Sequence, residues 1–201
     1  MDVLGRYPII SDQITKLELR HILQCLEGTL AAQVPGDVVE MGCFVGTASL
    51  FLQRTLVAQA PAKQLHVYDS FQGLPPKTEP DSSPAGEQFA AGELRASKQT
   101  LIKQFKHASL PLPVIHKAWF GELTDQDMPA SVAFAFLDGD FYESIQDSLH
   151  VVWPRLAPGA VVVVDDYQSE ALPGVKRAVD QWLQTHAAGV RIVASLAVLR
   201  V

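Results

Sequence analysis

The sequence is poor in cysteine and has no long apolar run. Its two cysteines, Cys25 and Cys43, have neither CxxC spacing nor a nearby histidine, which argues against a disulfide framework and against a zinc site. The longest apolar runs, such as 159–164, are far shorter than the roughly 20 residues that span a bilayer. The N-terminus also lacks a basic region followed by an apolar stretch. We therefore expect a cytoplasmic protein without membrane contact.

Basic charge is also scarce, since 16 Lys and Arg face 22 Asp and Glu for a net charge of −6. Nucleic acid is therefore not an expected partner, because phosphate binding needs clustered Lys and Arg. The 201 residues, 48% of them apolar and 19% charged, suit one globular domain.

Short apolar runs alternate with segments of helical length, after a first amphipathic helix at 11–30 with Ser11 as a candidate N-cap. Strands that are apolar on both faces and alternate with helices predict a doubly wound α/β fold, with a mainly parallel sheet and helices on both faces. The predicted strands are 37–43, 64–70, 113–119, 132–137 and 160–164, the helices are 47–59, 92–107, 142–156 and 173–186, and the tail 190–201 has room for a hairpin turning at Ala194 and Ser195.

The pattern divides the chain into an N-terminal helical segment, 1–36, that packs on a core domain, 37–201. One segment interrupts the alternation. Residues 74–91 carry four prolines and are too long for a simple connection, so we interpret them as a functional lid rather than a disordered loop.

Ligands of such sheets bind at the carboxyl ends of the strands. The first strand runs into Glu40 and a turn with Gly42 and Gly46, before a helix that starts at Thr47. The Gly-x-x-x-Gly spacing differs from the dinucleotide motif. Glu40 disfavours a phosphate and suits a cationic ligand, of which S-adenosylmethionine, a sulfonium without phosphate, is one.

The next two strand ends extend this candidate cofactor site. Asp69 and Ser70 end the second strand, where a carboxylate can accept hydrogen bonds from ribose hydroxyls. Trp119 and Phe120 follow the third strand, where they either form a wall for adenine or simply fill core or surface grooves.

Four carboxylates follow the fourth and fifth strands, and charges of one sign that close raise each other's pKa unless a cation neutralises them. Oxygen ligands without histidine select Mg²⁺ first and Mn²⁺ or Ca²⁺ next. Asp140 stands three residues before Glu143, the spacing of a capping box, so we expect a structural role for it. The metal is therefore assigned to Asp138, Asp165 and Asp166.

Five segments of the chain resemble class I methyltransferases, and more narrowly the macrocin O-methyltransferase family, Mg²⁺-dependent enzymes that methylate sugar hydroxyls in antibiotic biosynthesis. They are VEMGCFVG (39–46), YDSFQGLP (68–75), LDGDFYES (137–144), VDDY (164–167) and PGVKRAV (173–179).

The resemblance runs from about 37 to 186 and implies a Rossmann-like sheet of seven strands or slightly fewer. It implies S-adenosylmethionine and Mg²⁺ as cofactors, and a hydroxyl of a sugar or vicinal diol on a small molecule as acceptor. It also implies that Asp138, Asp165 and Asp166 hold the metal and that Asp138 serves as the base. We further expect the methyl group of S-adenosylmethionine to point toward Asp138, so that Asp138 also binds the cofactor.

Three alternatives remain. A catechol-type or phenolic O-methyltransferase also uses Mg²⁺ with carboxylates at these strand ends. A cofactor-binding domain without transfer activity would keep the same motifs. A dinucleotide oxidoreductase is disfavoured by the glycine spacing and by the acidic cluster, which repels phosphates. The sequence leaves a homo-oligomer open.

Overall fold

A computed structural model describes residues 3–84 and 88–201 of the chain. Within these residues no helix has the length and apolar character that crossing a membrane requires. The strands are β1 (Asp37–Met41), β2 (Leu65–Asp69), β3 (Val114–Lys117), β4 (Val132–Leu137), β5 (Leu156–Val164), β6 (Gly189–Val193) and β7 (Leu196–Arg200). The helices are α1 (Val3–Arg6), α2 (Lys16–Ala31), α3 (Thr47–Gln59), α4 (Lys98–His107), α5 (Tyr142–Val152) and α6 (Pro173–Trp182). Short 3₁₀ turns lie at Glu79–Asp81, Phe120–Glu122 and Trp153–Arg155.

The strands form one seven-stranded sheet in the order β3-β2-β1-β4-β5-β7-β6. β1 to β5 are parallel, and β7 is antiparallel to both β5 and β6. This arrangement confirms the predicted doubly wound fold and its full set of seven strands. The strand order reverses between β1 and β4, so a crevice opens at their carboxyl ends, where Met41 pairs with Leu137.

Two apolar clusters cover the two faces of the sheet. Alternate strand residues point to opposite faces, so Val38 belongs to the cluster under α2, α3 and α4, and Val39 to the cluster under α5 and α6. All six residues of β4 are buried. Burial on both faces explains why the sequence reads as continuous apolar runs rather than as an alternation.

Several element boundaries differ from the prediction. Ser11 is not the cap of α2, because Thr15 forms a capping box with Glu18 and the helix begins at Lys16. α4 begins at Lys98, behind Ser97 as its N-cap, instead of at 92. The helices predicted to reach 156 and 186 end at Val152 and Trp182. The predicted hairpin turn is confirmed, with Ala194 at a φ of 52° between β6 and β7.

The predicted lid and domain division stay predictions. Residues 85–87 of the lid and residues 1 and 2 of the N-terminal segment lie outside the described part of the chain. At the start of the lid, Leu74 is held by backbone hydrogen bonds with Gly92 and Glu93, each 2.9 Å long. α2 shares one apolar cluster with α3 and the sheet, as the predicted packing on the core requires.

Candidate active site

A cavity of about 470 Å³ lies at the carboxyl ends of the strands. Seven residues predicted from the sequence line it: Gly42, Asp69, Ser70, Trp119, Phe120, Asp138 and Asp166. Four predicted residues do not line it, namely Glu40, Gly46, Thr47 and Asp165. The sequence interpretation missed other lining residues, among them Asp12, Gln13, Phe44, Phe89, Leu94, Glu143, Ser144 and Asp147, and it gave a structural role to Asp140, which also lines the cavity.

The turn after β1 needs glycine at two positions because neighbouring atoms pack closely there, in addition to the close approach of a ligand that the sequence predicts. Gly42 has a φ of 89°, and a Cβ there would lie 2.0 Å from the carbonyl oxygen of Asp138. Gly46 has a φ of 92°, and a Cβ there would lie 2.5 Å from Leu101 Cδ1. Any side chain at Gly42 would therefore push the end of β1 away from the end of β4.

Glu40 is fully buried beneath this turn, and neither of its carboxylate oxygens has a hydrogen-bond partner among the described residues. Burial, with the nearby charge of Asp69, raises the pKa of Glu40 to about 8. The hydroxyl of Thr47, the first residue of α3, is also buried without a partner in the described part of the chain. Unpaired buried polar atoms need an explanation such as a bound water or ligand.

Asp69 joins the end of β2 to the glycine turn. Its Oδ2 accepts hydrogen bonds from the backbone N–H of Cys43 (2.9 Å) and of Phe44 (3.3 Å). Its Oδ1 accepts one from Phe71 N–H (2.6 Å), while Ser70 Oγ accepts one from Gln72 N–H (3.0 Å). The Asp69 carboxylate thus shapes the cavity wall and is itself exposed to the cavity.

Replacing Asp69 with Ala should weaken the binding of S-adenosylhomocysteine by about 10- to 100-fold. One hydrogen bond to a charged group contributes about 1.5–3 kcal/mol, and each 1.4 kcal/mol is about a factor of ten in affinity. Titration calorimetry measures the effect. Asp37→Ala is the matched control, because Asp37 also accepts a backbone hydrogen bond, from Gln64 (2.9 Å), but at the amino end of β1. Equal affinities of the wild type and Asp69→Ala would contradict the assignment.

Three carboxylates converge in the cavity. Asp138, Asp140 and Asp166 each place one oxygen within 4.8 Å of the others. Burial raises the pKa of each carboxyl group, and neighbouring carboxylates raise it further, which for Asp166 is the effect of Glu18. Asp140 and Asp166 have φ angles of 61° and 54°, a left-handed conformation that Asp adopts more readily than most residues. The donor set is all oxygen and therefore fits Mg²⁺.

The third carboxylate beside Asp138 and Asp166 is that of Asp140, whereas the sequence interpretation assigned this role to Asp165. The predicted capping box of Asp140 and Glu143 is wrong, because Phe141 is the N-cap of α5 and Asp140 makes no capping hydrogen bond. Asp165 lies outside the group of three and is 5% exposed. Its Oδ1 accepts a hydrogen bond from Asp166 N–H (2.9 Å) and lies 3.5 Å from Ser195 Oγ. Asp165 as a metal ligand stays a prediction.

Trp119 and Phe120 follow β3, and both line the cavity. Phe120 also packs against the apolar cluster under α5 and α6. The Trp119 backbone N–H donates a hydrogen bond to Glu122 (3.1 Å), which fixes the turn. These contacts are compatible with both interpretations of the sequence, namely that the two side chains form a wall for adenine or that they fill a groove.

Comparison with known families and proteins agrees with this geometry. The family described as Macrocin-O-methyltransferase (TylF) matches residues 8–194. An 8-demethyl-8-(2,3-dimethoxy-alpha-L-rhamnosyl)-tetracenomycin-C 4'-O-methyltransferase of Streptomyces olivaceus is 32% identical over 178 residues, which cover 84% of this chain and 68% of the relative. A Mycinamicin III 3''-O-methyltransferase of Micromonospora griseorubida is 29% identical over 196 residues, which cover 93% of this chain and 76% of the relative.

Solved structures share the fold. The O-methyltransferase NovP superposes with a TM-score of 0.78 at 29% identity, over 90% of this chain and 78% of that protein. An O-methyltransferase from Bacillus cereus, in complex with SAH, superposes with a TM-score of 0.63 at 10% identity, over 98% of this chain and 87% of that protein. The second similarity concerns the fold alone.

Proposed function

The chain belongs to the macrocin O-methyltransferase family as an S-adenosylmethionine-dependent O-methyltransferase, and on that premise we propose that it methylates a sugar or vicinal-diol hydroxyl of a small-molecule natural product with the help of Mg²⁺. The observation that carries the Mg²⁺ part of the proposal is the convergence of Asp138, Asp140 and Asp166 in one cavity. The sugar acceptor is supported by relatives whose names specify a rhamnosyl-tetracenomycin and mycinamicin III.

The cofactor is proposed to lie over the turn that starts at Gly42. Asp69 would accept hydrogen bonds from its ribose, and Trp119 and Phe120 would form the wall for its adenine. The buried Glu40 beneath the turn supports a cationic ligand above it, since the charged form of a buried carboxyl group is costly without a neighbouring cation.

The metal is proposed to be held by Asp138 and Asp166, which belong both to the set implied by the resemblance and to the converging group. The geometry favours Asp140 as the third carboxylate, whereas the resemblance implies Asp165. A bound Mg²⁺ lowers the pKa of a coordinated hydroxyl and stabilises developing negative charge.

The remaining residues of the cavity orient the reactants and exclude water. Leu74, Phe89 and Leu94 supply apolar wall on the side of the predicted lid. Asp138 would accept the proton of the acceptor hydroxyl. Alignment of the acceptor oxygen with the methyl group is the main contribution that a rigid cavity makes, since intramolecular models give about 7–11 kcal/mol for orientation. A cytoplasmic location and a homo-oligomeric state stay predictions.

An acceptor panel with labelled S-adenosylmethionine tests the proposal, with products identified by mass spectrometry. Glycosides with vicinal hydroxyls should be methylated and catechols should not. Methylation of catechols alone would favour the phenolic O-methyltransferase. Calorimetric binding of S-adenosylhomocysteine without transfer to any member of a broad panel would favour a cofactor-binding domain.

A further inference from the structure

The helix that follows the carboxylate turn has no N-terminal cap of its own. Its N-cap residue, Phe141, offers no side-chain acceptor, although the first amides of a helix need one. The acceptor comes from a residue 61 positions earlier, because Asp81 Oδ1 accepts a hydrogen bond from Tyr142 N–H at 2.7 Å. α5 is therefore capped by the proline-rich segment that follows β2.

Asp81 is wedged between two helices. It is 1% exposed, and its Oδ2 accepts hydrogen bonds from Thr78 N–H (3.0 Å) and Thr78 Oγ1–H (2.9 Å). On its other side lies the first turn of α6, where a Cβ at Gly174 would be 1.9 Å from Asp81 Oδ1. Only a glycine at that position leaves room for the carboxylate.

The turn that Asp81 anchors carries two of the converging carboxylates. At its start, Asp138 N–H donates to Met41 O (2.8 Å), and inside it Phe141 N–H donates to Gly139 O (2.7 Å). Between these bonds Asp140 has a φ of 61°, a left-handed conformation that is sparsely populated even for Asp and that the surrounding structure helps to maintain. β1 fixes one end of the turn, and Asp81 fixes the other through Tyr142.

We propose that Asp81 is a positioning residue that caps α5 from a distance and so sets the turn that holds Asp138 and Asp140. Residues Thr78–Asp81 belong to the predicted lid, but they remain packed against α5 and α6. The anchoring is independent of the reaction, whereas its consequence for catalysis rests on the proposed function.

A second Thr-x-x-Asp turn provides a matched control. Asp127 Oδ2 accepts hydrogen bonds from Thr124 N–H (2.8 Å) and Thr124 Oγ1–H (2.7 Å), as Asp81 does from Thr78. Asp127 is half-buried, and no hydrogen bond among the described residues joins its carboxylate to α5. Asp81→Ala and Asp127→Ala therefore remove the same local bonds, and only the first removes the contact with α5.

Amide hydrogen exchange of the wild type and both variants tests the anchoring. Asp81→Ala should speed exchange over 139–146 by about 5- to 30-fold, the factor that corresponds to the loss of an N-cap, and Asp127→Ala should leave that segment unchanged. Gly174→Ala should speed exchange as well, because its Cβ would displace the Asp81 carboxylate, which it would meet at 1.9 Å, and would also lie 3.0 Å from Tyr142 Cβ. Its effect should be smaller in the Asp81→Ala background, where only the contact with Tyr142 is left. Asp81→Asn should restore part of the protection, because its amide oxygen can accept from Tyr142 N–H, whereas its NH2 group cannot accept from Thr78 N–H as Oδ2 does. Equal exchange in the Asp81 and Asp127 variants would overturn the proposal.

Kinetic measurements on the same variants test the consequence for catalysis. Asp81→Ala should lower kcat while the KM for S-adenosylmethionine is unchanged, because Asp81 does not line the cavity, and Asp81→Asn should recover part of the rate. If Asp81→Ala reaches the wild-type kcat, the positioning role is wrong. If the wild type methylates no acceptor, the proposed function fails, and the exchange experiment still decides the anchoring. If Asp81→Ala does not fold, Asp81→Asn and Gly174→Ala carry both measurements.

Discussion

Removal of divalent metal with EDTA should abolish methyl transfer, and added Mg²⁺ should restore it. The cavity holds three carboxylates within 4.8 Å of one another, and burial raises the pKa of each. Three carboxylates that lie this close together stay ionised only when a cation neutralises their charge. A bound metal stabilises the transition state by several kcal/mol, so we expect less than about 1% of the rate without it. The rate is measured with labelled S-adenosylmethionine while Mg²⁺ is titrated into metal-free enzyme.

Cofactor binding in the same EDTA buffer is the control. S-adenosylhomocysteine should still bind, because most of the residues proposed to bind the cofactor are separate from the three converging carboxylates. They lie mainly on the turn after β1 and at Asp69. Retained binding with lost turnover would assign the metal to the acceptor side of the reaction. Full activity in EDTA, with elemental analysis confirming that the metal is gone, would contradict the metal site.

The central strands β1, β2 and β4 could be predicted closely because they are buried on both faces, whereas the edge strands β3 and β6 are partly or largely exposed. The six buried residues of β4 coincide with the predicted run 132–137. Three helix starts, at 47, 142 and 173, were predicted correctly, whereas the starts of α2 and α4 and the ends of α5 and α6 were not. For α2 the decisive signal was present in the sequence, because Thr15 and Glu18 have the capping-box spacing that Ser11 lacks.

The three converging carboxylates show where a prediction from local residue spacing fails. Asp140 and Glu143 have the spacing of a capping box, yet α5 is capped by Asp81 from 61 residues away. A contact at that separation leaves no periodic signal in the sequence. It frees Asp140 to point into the cavity, with a backbone conformation that its own neighbours do not predict.

The cavity residues that sequence reasoning missed share the same cause. Asp12 and Gln13 precede α2, Phe89 lies near the end of the predicted lid and Leu94 follows it, so both pairs reach the cavity through tertiary packing. The motif residues could be found because they follow strand ends in a parallel sheet. The walls contributed by connecting segments follow no such rule.

Asp140→Asn should lower kcat by about 10²- to 10³-fold or more, with the affinity for S-adenosylhomocysteine unchanged. The substitution keeps the size of the side chain and removes one of the converging charges, and electrostatic groups that face a reacting centre contribute about 2.7–4 kcal/mol. Single-turnover rates and calorimetry measure the two effects, and thermal melting shows that the variant is folded.

Asp165→Asn is the matched comparison, because it makes the same chemical change one strand away. The Asp165 carboxylate accepts a hydrogen bond from Asp166 N–H and approaches Ser195 Oγ, which donates to Glu18 at 2.6 Å. It is therefore placed to orient Asp166 from below the cavity. With Asp140 as the third ligand, Mg²⁺ affinity falls in Asp140→Asn and is largely kept in Asp165→Asn. The reverse order would give the third ligand position to Asp165, as the resemblance implies, and would leave Asp140 as a charge beside the metal rather than a ligand.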